Sequence, residues 1–256
     1  MNWRLIEDGA ESGSWNMSVD ESILDAVAMG IAPATVRLYR WDKPWVSVGR
    51  FQDIGRSIDA DACREYGVDI VRRLTGGRAV LHGGDLTVTI VAPVSALGTQ
   101  GNRVVQSYEH LSKGFLEGFR WLDVKAQMGT CERRTDRPGD CFATRTRADL
   151  IGPDGAKLVG SAQCRRDGTI LQQSSVKHRP PRASAGQVFR ERVGDPTFPL
   201  AGYDDTTVAQ AIKSGLQSAL GVDLDSGSLT DWEYERTSVL MRHYAPLTLV
   251  DRGTGI

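Results

Sequence analysis

Arg72-Arg73-Leu74-Thr75-Gly76-Gly77-Arg78-Ala79-Val80-Leu81-His82 is the stretch on which the reading of this chain turns. Two cations stand at the end of an alternating, strand-like run from Val68, directly before two adjacent glycines. Glycine lets backbone N–H groups approach a ligand without interference from Cβ, and arginine offers charge-assisted forks to phosphate or carboxylate. Successive strand residues face opposite sides, so only one of Arg72 and Arg73 is expected to enter a given pocket. The string contains neither G-x-x-x-x-G-K nor G-x-G-x-x-G, which excludes the Walker and dinucleotide fingerprints. Taken alone, a Gly-Gly pair favours the plainer reading of a turn flanked by solvated arginines.

Working outward, Thr35 to Trp41 and Trp45 to Gly49 alternate apolar and polar residues and read as two paired strands. A short helix is expected from about 59 to 66, stopped by Gly67. Ala79–His82 and Leu86–Ile90 flank Gly83-Gly84 and read as a hairpin. Ser18-Val19-Asp20-Glu21 has the form of a capping box, which predicts a first helix over about 19–29. Val104, Val105, Tyr108, Leu111, Phe115 and Phe119 recur at helical spacing, so an amphipathic helix over about 102–121 is expected to pack across the sheet. Residues 128–140 read as an exposed loop ending at Cys141, followed by an antiparallel meander through Val176 with turns at Pro153-Asp154-Gly155 and Asp167-Gly168. A loop with Pro180-Pro181 follows, then a helix bearing Val208, Ile212, Leu216 and Leu220 that closes at Gly221, and a last helix over about 229–244. Strands joined largely by hairpins, with helices inserted between groups, predict an α+β fold with mixed and antiparallel sheets and flanking helices. No long Pro-, Gly- or Ser-rich linker divides the 256 residues, so 1–256 is expected to form one domain.

Composition narrows the function classes. Thirty-one Lys and Arg against thirty-two Asp and Glu provide no global basic field for nucleic acid. The first residues lack an apolar signal core, and no stretch approaches the ~20 apolar residues of a membrane span, so a cytoplasmic protein that acts on neither membrane nor nucleic acid is expected. Cys63, Cys131, Cys141 and Cys164 include no C-x-x-C pair and no histidine at metal-ligand spacing, so no metal site is expected. Each is expected to be a free thiol in a reducing compartment.

The string from Arg72 to His82, followed by Asp85-Leu86-Thr87, resembles the Arg-Arg-x-Thr-Gly-Gly-(Gly/Arg)-x-Val-x-His signature of lipoate-protein ligases, lipoyl and octanoyl transferases and their biotin-ligase relatives. The likeness continues in order through Asn16-Met17-Ser18-Val19-Asp20-Glu21, Val46-Ser47-Val48-Gly49-Arg50-Phe51-Gln52 and Gly160-Ser161-Ala162-Gln163. It implies a catalytic domain of the class II aminoacyl-tRNA synthetase/biotin ligase type. It also implies an acyl or substrate pocket drawn from Arg72, Arg73, Thr75, Gly76, Gly77, Arg78 and His82 on one side and Gly160, Ser161 and Ala162 on the other. Cys141-Phe142 ahead of Lys157-Leu158-Val159-Gly160 is most similar to the octanoyltransferases typical of Gram-positive bacteria. Those relatives carry Ser-x-Tyr-Glu where this chain has Arg145-Thr146-Arg147-Ala148-Asp149, and Leu-Gln-His-Gly-Ser where it has Leu171-Gln172-Gln173-Ser174-Ser175.

The resemblance implies that Cys141 attacks the thioester of octanoyl-acyl carrier protein and passes the acyl group to a lysine of an apo lipoyl domain or glycine cleavage H-type protein. No cofactor is required for that reaction. A free thiol with a pKa of about 8.5 is mostly protonated near neutrality, so a nearby Lys157 ammonium would favour the thiolate, and Lys157 could later shuttle protons for the acceptor amine. Read by residue type alone, Cys63 is a buried structural thiol, Cys131 and Cys164 are weaker nucleophile candidates, and Lys157 is a solvated lysine beside a turn. A straight strand from Cys141 to the Pro-Asp-Gly turn would span roughly 30 Å at about 3.3 Å per residue. The Cys141–Lys157 pair therefore needs a bend within Ala143 to Arg147. The same motifs leave two alternatives: a ligase that uses ATP and Mg to form a lipoyl-adenylate held by the glycine loop and Lys157, and a non-catalytic acyl-binding module.

Overall fold

The computed structural model describes residues 1–129, 148–190 and 197–247. The chain opens with β1 (Asn2–Glu11) and α1 (Gly13–Ala28), followed by β2 (Thr35–Trp41) and β3 (Trp45–Val48). Two short helices, α2 (Ile54–Ser57) and α3 (Ala60–Glu65), lead to β4 (Asp69–Arg72), β5 (Val80–His82) and β6 (Asp85–Pro93). A 3₁₀ segment (Val94–Gly101) precedes α4 (Val104–Trp121), then β7 (Gln127–Met128), β8 (Leu150–Ile151), β9 (Lys157–Arg166) and β10 (Thr169–Lys177). The remainder is α5 (Ala185–Val188), α6 (Asp205–Leu220), β11 (Asp223–Ser226) and α7 (Asp231–Leu240).

Eight strands form one sheet in the order β11-β1-β2-β6-β10-β9-β8-β7, and β4-β3-β5 form a second, smaller sheet. Strand β1 runs parallel to both of its neighbours, while β2, β6, β10 and β9 are successively antiparallel, so the large sheet is mixed. The α+β reading with mixed sheets and flanking helices is thus the observed architecture.

The central strand β6 explains how one sheet serves both a core and a site. Its sequence, Asp-Leu-Thr-Val-Thr-Ile-Val-Ala-Pro, alternates as a half-buried strand should, yet every residue but the last is buried. Leu86, Val88, Ile90 and Ala92 face the apolar layer containing Leu111, Phe115 and Phe119 of α4 and Val208, Ile212 and Leu216 of α6. Helices α4 and α6 approach closely because a Cβ at Gly215 would lie 2.3 Å from the Gly114 carbonyl oxygen. The opposite face of β6 meets α1, where its hydroxyls are satisfied by buried acids: Thr89 donates to Asp20 (2.8 Å) and Thr87 to Asp85 (3.1 Å).

Five local expectations are corrected. Helix α1 begins at Gly13, capped by the Ser12 hydroxyl, which accepts from the Trp15 amide; Ser18 lies inside the helix and donates to the Ser14 carbonyl. Asp20 and Glu21 are therefore tertiary partners rather than capping groups. Strands β2 and β3 do not pair, because β2 sits between β1 and β6 while β3 sits between β4 and β5. Gly83-Gly84 is not a hairpin turn but the crossing between sheets, since β5 pairs with β3 whereas β6 pairs with β2 and β10. A Cβ at Gly84 would fall 2.1 Å from the Arg179 carbonyl oxygen, so the crossing is closed by chain passing over it. The last helix is shorter than expected and is headed by a Thr230–Glu233 capping box, and Val104 and Val105 at the start of α4 are exposed.

Candidate functional site

The glycine string joins β4 to β5 and is held by its own arginines. Arg73 donates to the carbonyls of Ser47 (2.7 Å), Gly76 (2.7 Å) and Arg78 (2.7 Å) and to the Thr75 hydroxyl (3.0 Å). Arg72 points the other way and donates to the carbonyls of Gly49 (2.8 Å), Arg50 (3.2 Å) and Gln52 (3.0 Å). The two side chains diverge as strand alternation requires. These donors brace two loops, and Arg73 also lines the cavity beside them. Gly77 adopts φ +87°, and a Cβ at Gly49 would lie 1.9 Å from the Gly77 carbonyl oxygen, so the braced loops touch backbone to backbone only because both positions are glycine.

Beside this loop lies an open cavity, about 360 Å³ with its mouth included. Arg73, Ser47, Val80 and His82 form the wall contributed by the small sheet. Tyr39, Trp41, Thr87, Gln173 and Ser175 come from β2, β6 and β10; Gly160, Ser161 and Ala162 come from β9, and Met17 from α1. The structure thus brings together Arg73, His82, Gly160, Ser161 and Ala162 from the expected pocket. Thr75, Gly76, Gly77 and Arg78 build the adjoining loop, where a Cβ at Gly77 would sit 3.9 Å from that of Ala162. Arg72 lies outside the cavity lining.

Two hydrogen-bonded networks fix the cavity wall. His82 stacks on Trp41 with ring centroids 3.9 Å apart, and its Nδ1 and Nε2 lie 2.8 Å from Asp85 and 2.8 Å from the Ser47 hydroxyl. Both ring nitrogens thus have a hydrogen-bonding partner, with the donor at each contact set by the ring's tautomer. Burial pushes the Asp85 carboxyl upward, but His82 and the hydrogen bonds from His82, Ser175 and Thr87 outweigh it and hold the group below its ordinary value. In the second network, Thr75 donates to the Gln173 side-chain carbonyl (2.8 Å), and the Gln173 amide donates to Asp20 (2.7 Å). Asp20 also accepts from Arg37 (2.8 Å), Tyr39 (2.9 Å) and Thr89 (2.8 Å). Burial and then the Asp20 charge push the Tyr39 phenol well above its usual value, so it stays a neutral donor.

Lys157 opens β9, three residues before the cavity-lining Gly160, and is not solvated. Its Nζ lies 2.9 Å from the Asp149 carboxylate, and both side chains are 2% exposed. Cys141 and Cys131 lie outside the described residues. Cys63 is buried in α3 and its thiol is pushed up to about 11 by burial and by Asp59, in keeping with a structural role. Cys164 is half-buried in β9, its thiol also raised by burial. Among the described residues, no group of three or more His, Cys, Asp or Glu could hold a metal ion.

Sequence reasoning missed Trp41, Tyr39, Gln173 and Asp149. Asp149 was legible as an acid in the segment where the resembled transferases carry Ser-x-Tyr-Glu, and Gln173 as the departure from their Leu-Gln-His-Gly-Ser. Nothing in the sequence marks Tyr39 or Trp41, which read as ordinary strand aromatics.

Residues 12–193, nearly three-quarters of the chain and all of the glycine loop, cavity and Lys157 strand, match the lipoyl protein ligase A/B catalytic domain family. The chain belongs to that family. Among curated members of the lipoyl protein ligase A/B family, the octanoyltransferase LipM of Kyrpidia tusciae is 36% identical over 264 aligned positions, covering 94% of this chain and 96% of the relative. The fold is shared with lipoate-protein ligase A bound with ATP (TM-score 0.79, 20% identity, covering 94% of this chain and 95% of that one). It is shared too with the bi-partite lipoate protein ligase of Thermoplasma acidophilum, described with its E2 lipoyl domain (TM-score 0.77, 21% identity, covering 94% and 92%).

Proposed function

We propose that this enzyme is an octanoyltransferase of lipoate biosynthesis that carries octanoyl from acyl carrier protein, through a thioester on Cys141, to a lysine of an apo lipoyl domain or an H-type protein. The observation that carries the reading is likeness to curated octanoyltransferases across nearly the whole of both chains. The cavity supports it physically. Met17, Trp41, Val80 and Ala162 offer apolar surface to an acyl tail, and burying the methylenes of an octanoyl chain contributes about 5 kcal/mol at roughly 0.8 per CH₂.

In the first half-reaction the Cys141 thiolate attacks the acyl carbonyl carbon; the new C–S bond forms as the bond to the carrier's thiol breaks, and that thiolate takes up a proton. In the second, the acceptor amine attacks the enzyme thioester, loses a proton as the amide forms, and releases Cys141. The Lys157 ammonium favours thiolate over thiol and assists these proton movements. A thioester already carries an activated acyl group, so no ATP enters. Among the described residues no helix is long and apolar enough to cross a membrane. We assign the reaction to the cytoplasm as part of the same proposal.

Purified enzyme mixed with octanoyl-acyl carrier protein and an apo lipoyl domain is expected to octanoylate that domain without nucleotide, followed by intact-mass analysis of the acceptor. An absolute requirement for ATP with free lipoate or octanoate would replace this reading with that of a ligase.

A further inference from the structure

We propose that Asp149 is a positioning residue for octanoyl transfer, its carboxylate holding the Lys157 ammonium charged and fixed at the start of β9. The inference rests on the reading of Lys157 as the cation that assists Cys141.

The register of β8 against β9 first shows why the pair forms. Leu150 pairs with Val159 but Ile151 pairs with Lys157, so β9 carries one extra residue between these rungs. In an uninterrupted ladder Lys157 would share a face with Val159 and Leu150, opposite to Asp149. The bulge re-aims Lys157 to the face of Ile151, and thus to the face of Asp149 two residues earlier. The backbone at Asp149 is anchored in turn, because its carbonyl accepts from the Gly129 amide at 2.8 Å. A local irregularity in the ladder therefore brings an acid and a base to 2.9 Å, both almost wholly removed from water.

Such a pair is a poor device for stability alone. Desolvating two ions offsets most of their attraction, and apolar residues of similar volume serve a fold as well. Its chemical effect is specific. Burial penalises the charged form of any amine, and a carboxylate in contact offsets that penalty. A neutral amine neither favours a thiolate nor donates a proton. Asp149 keeps the ammonium, and contact at one carboxylate oxygen restrains a side chain that otherwise has four rotatable bonds. The carboxylate does not touch the acyl group; it acts through Lys157.

The test is the pH profile of kcat/KM for octanoyl transfer in the full-length enzyme, compared for Lys157→Ala, Asp149→Asn and Asp149→Glu. Loss of the cation raises the pH at which the nucleophile ionises, so the acid limb in Lys157→Ala and Asp149→Asn should move up by about one pH unit or more. At pH 7 the expected loss is about tenfold or more, recovering towards pH 9, with KM for the carrier changed little. Asp149→Glu, which keeps the carboxylate, should restore the limb. A native limb in Asp149→Asn alongside a shifted limb in Lys157→Ala would overturn the role of Asp149 and leave that of Lys157 standing. An unmoved limb in Lys157→Ala would overturn both. Should Asp149→Asn not fold, Asp149→Ser is read by the same criteria, and a lost limb that Asp149→Glu fails to restore also counts against the proposal.

Discussion

Cys141→Ala should abolish octanoyl transfer, by a factor on the order of 10³ or more, in an assay with octanoyl-acyl carrier protein and an apo lipoyl domain. The expected size follows from the role. A residue that only lines a pocket weakens binding when truncated and raises KM. The group that forms the covalent bond removes the reaction path itself, so kcat falls and saturating donor does not rescue it. Cys141→Ser is a sharper comparison, since a hydroxyl retains shape but is far less ionised than a thiol near neutrality. Cys164→Ala provides the internal control: that thiol, raised by burial in β9, should be dispensable for transfer. Transfer surviving in Cys141→Ala would remove the thioester route.

The second large effect is on stability. Asp20→Ala should lower stability by about 3–5 kcal/mol, the usual consequence of breaking a buried ion pair by deleting one partner. For a chain of this size that corresponds to a fall in unfolding midpoint on the order of 10 °C. Arg37 is fully buried and is held by Asp20, Asp8 and Asn16 (2.8, 2.6 and 2.9 Å); without Asp20 a buried guanidinium is left with one carboxylate. Tyr39, Thr89 and Gln173 lose their acceptor in the same step. Because Gln173 also holds Thr75 at the glycine loop, the variant should show a raised KM for the acyl donor wherever it remains folded. Thermal unfolding followed by circular dichroism measures the first effect, and an unchanged midpoint would show that the network is not a stability element.

Asp20 also shows where sequence reading stops. Ser18-Val19-Asp20-Glu21 satisfies the pattern of a capping box, and the pattern is local; the true cap, Ser12, lies two turns earlier and is followed by no acid to advertise it. What fixes Asp20 is Arg37 on strand β2, and that pairing exists only after β2 and α1 pack. The same limit governs the glycines. Gly76-Gly77 was legible as a loop because two arginines precede it, whereas Gly83-Gly84 follows the hairpin pattern but serves a crossing between sheets, which only the pairing of β5 with β3 reveals. Elements whose pattern is set by one apolar face were readable, as α6 was from Val208, Ile212 and Leu216. β1 was not, because Glu7, Asp8 and Glu11 interrupt its alternation.

Of the site, the glycine loop, His82 and the Gly160–Ala162 segment were legible through motifs, and the structure gathers them around one cavity. That the two arginines diverge was legible from strand alternation; which groups they bond was not. Charge beside glycine suggests an anion, but Arg72 and Arg73 find backbone carbonyls at hydrogen-bonding distance once the loop closes. Lys157 likewise reads as a solvated lysine beside a turn, and a one-residue bulge turns it towards a buried acid.

The central claim is the covalent intermediate, and the most direct measurement is made on the enzyme without acceptor. Incubation with octanoyl-acyl carrier protein, acid quenching to preserve thioesters and peptide mass spectrometry should find one octanoyl group on the peptide containing Cys141. That adduct should vanish on adding an apo lipoyl domain. An enzyme that octanoylates the acceptor while Cys141 never carries the acyl group, or carries it without passing it on, would contradict the account.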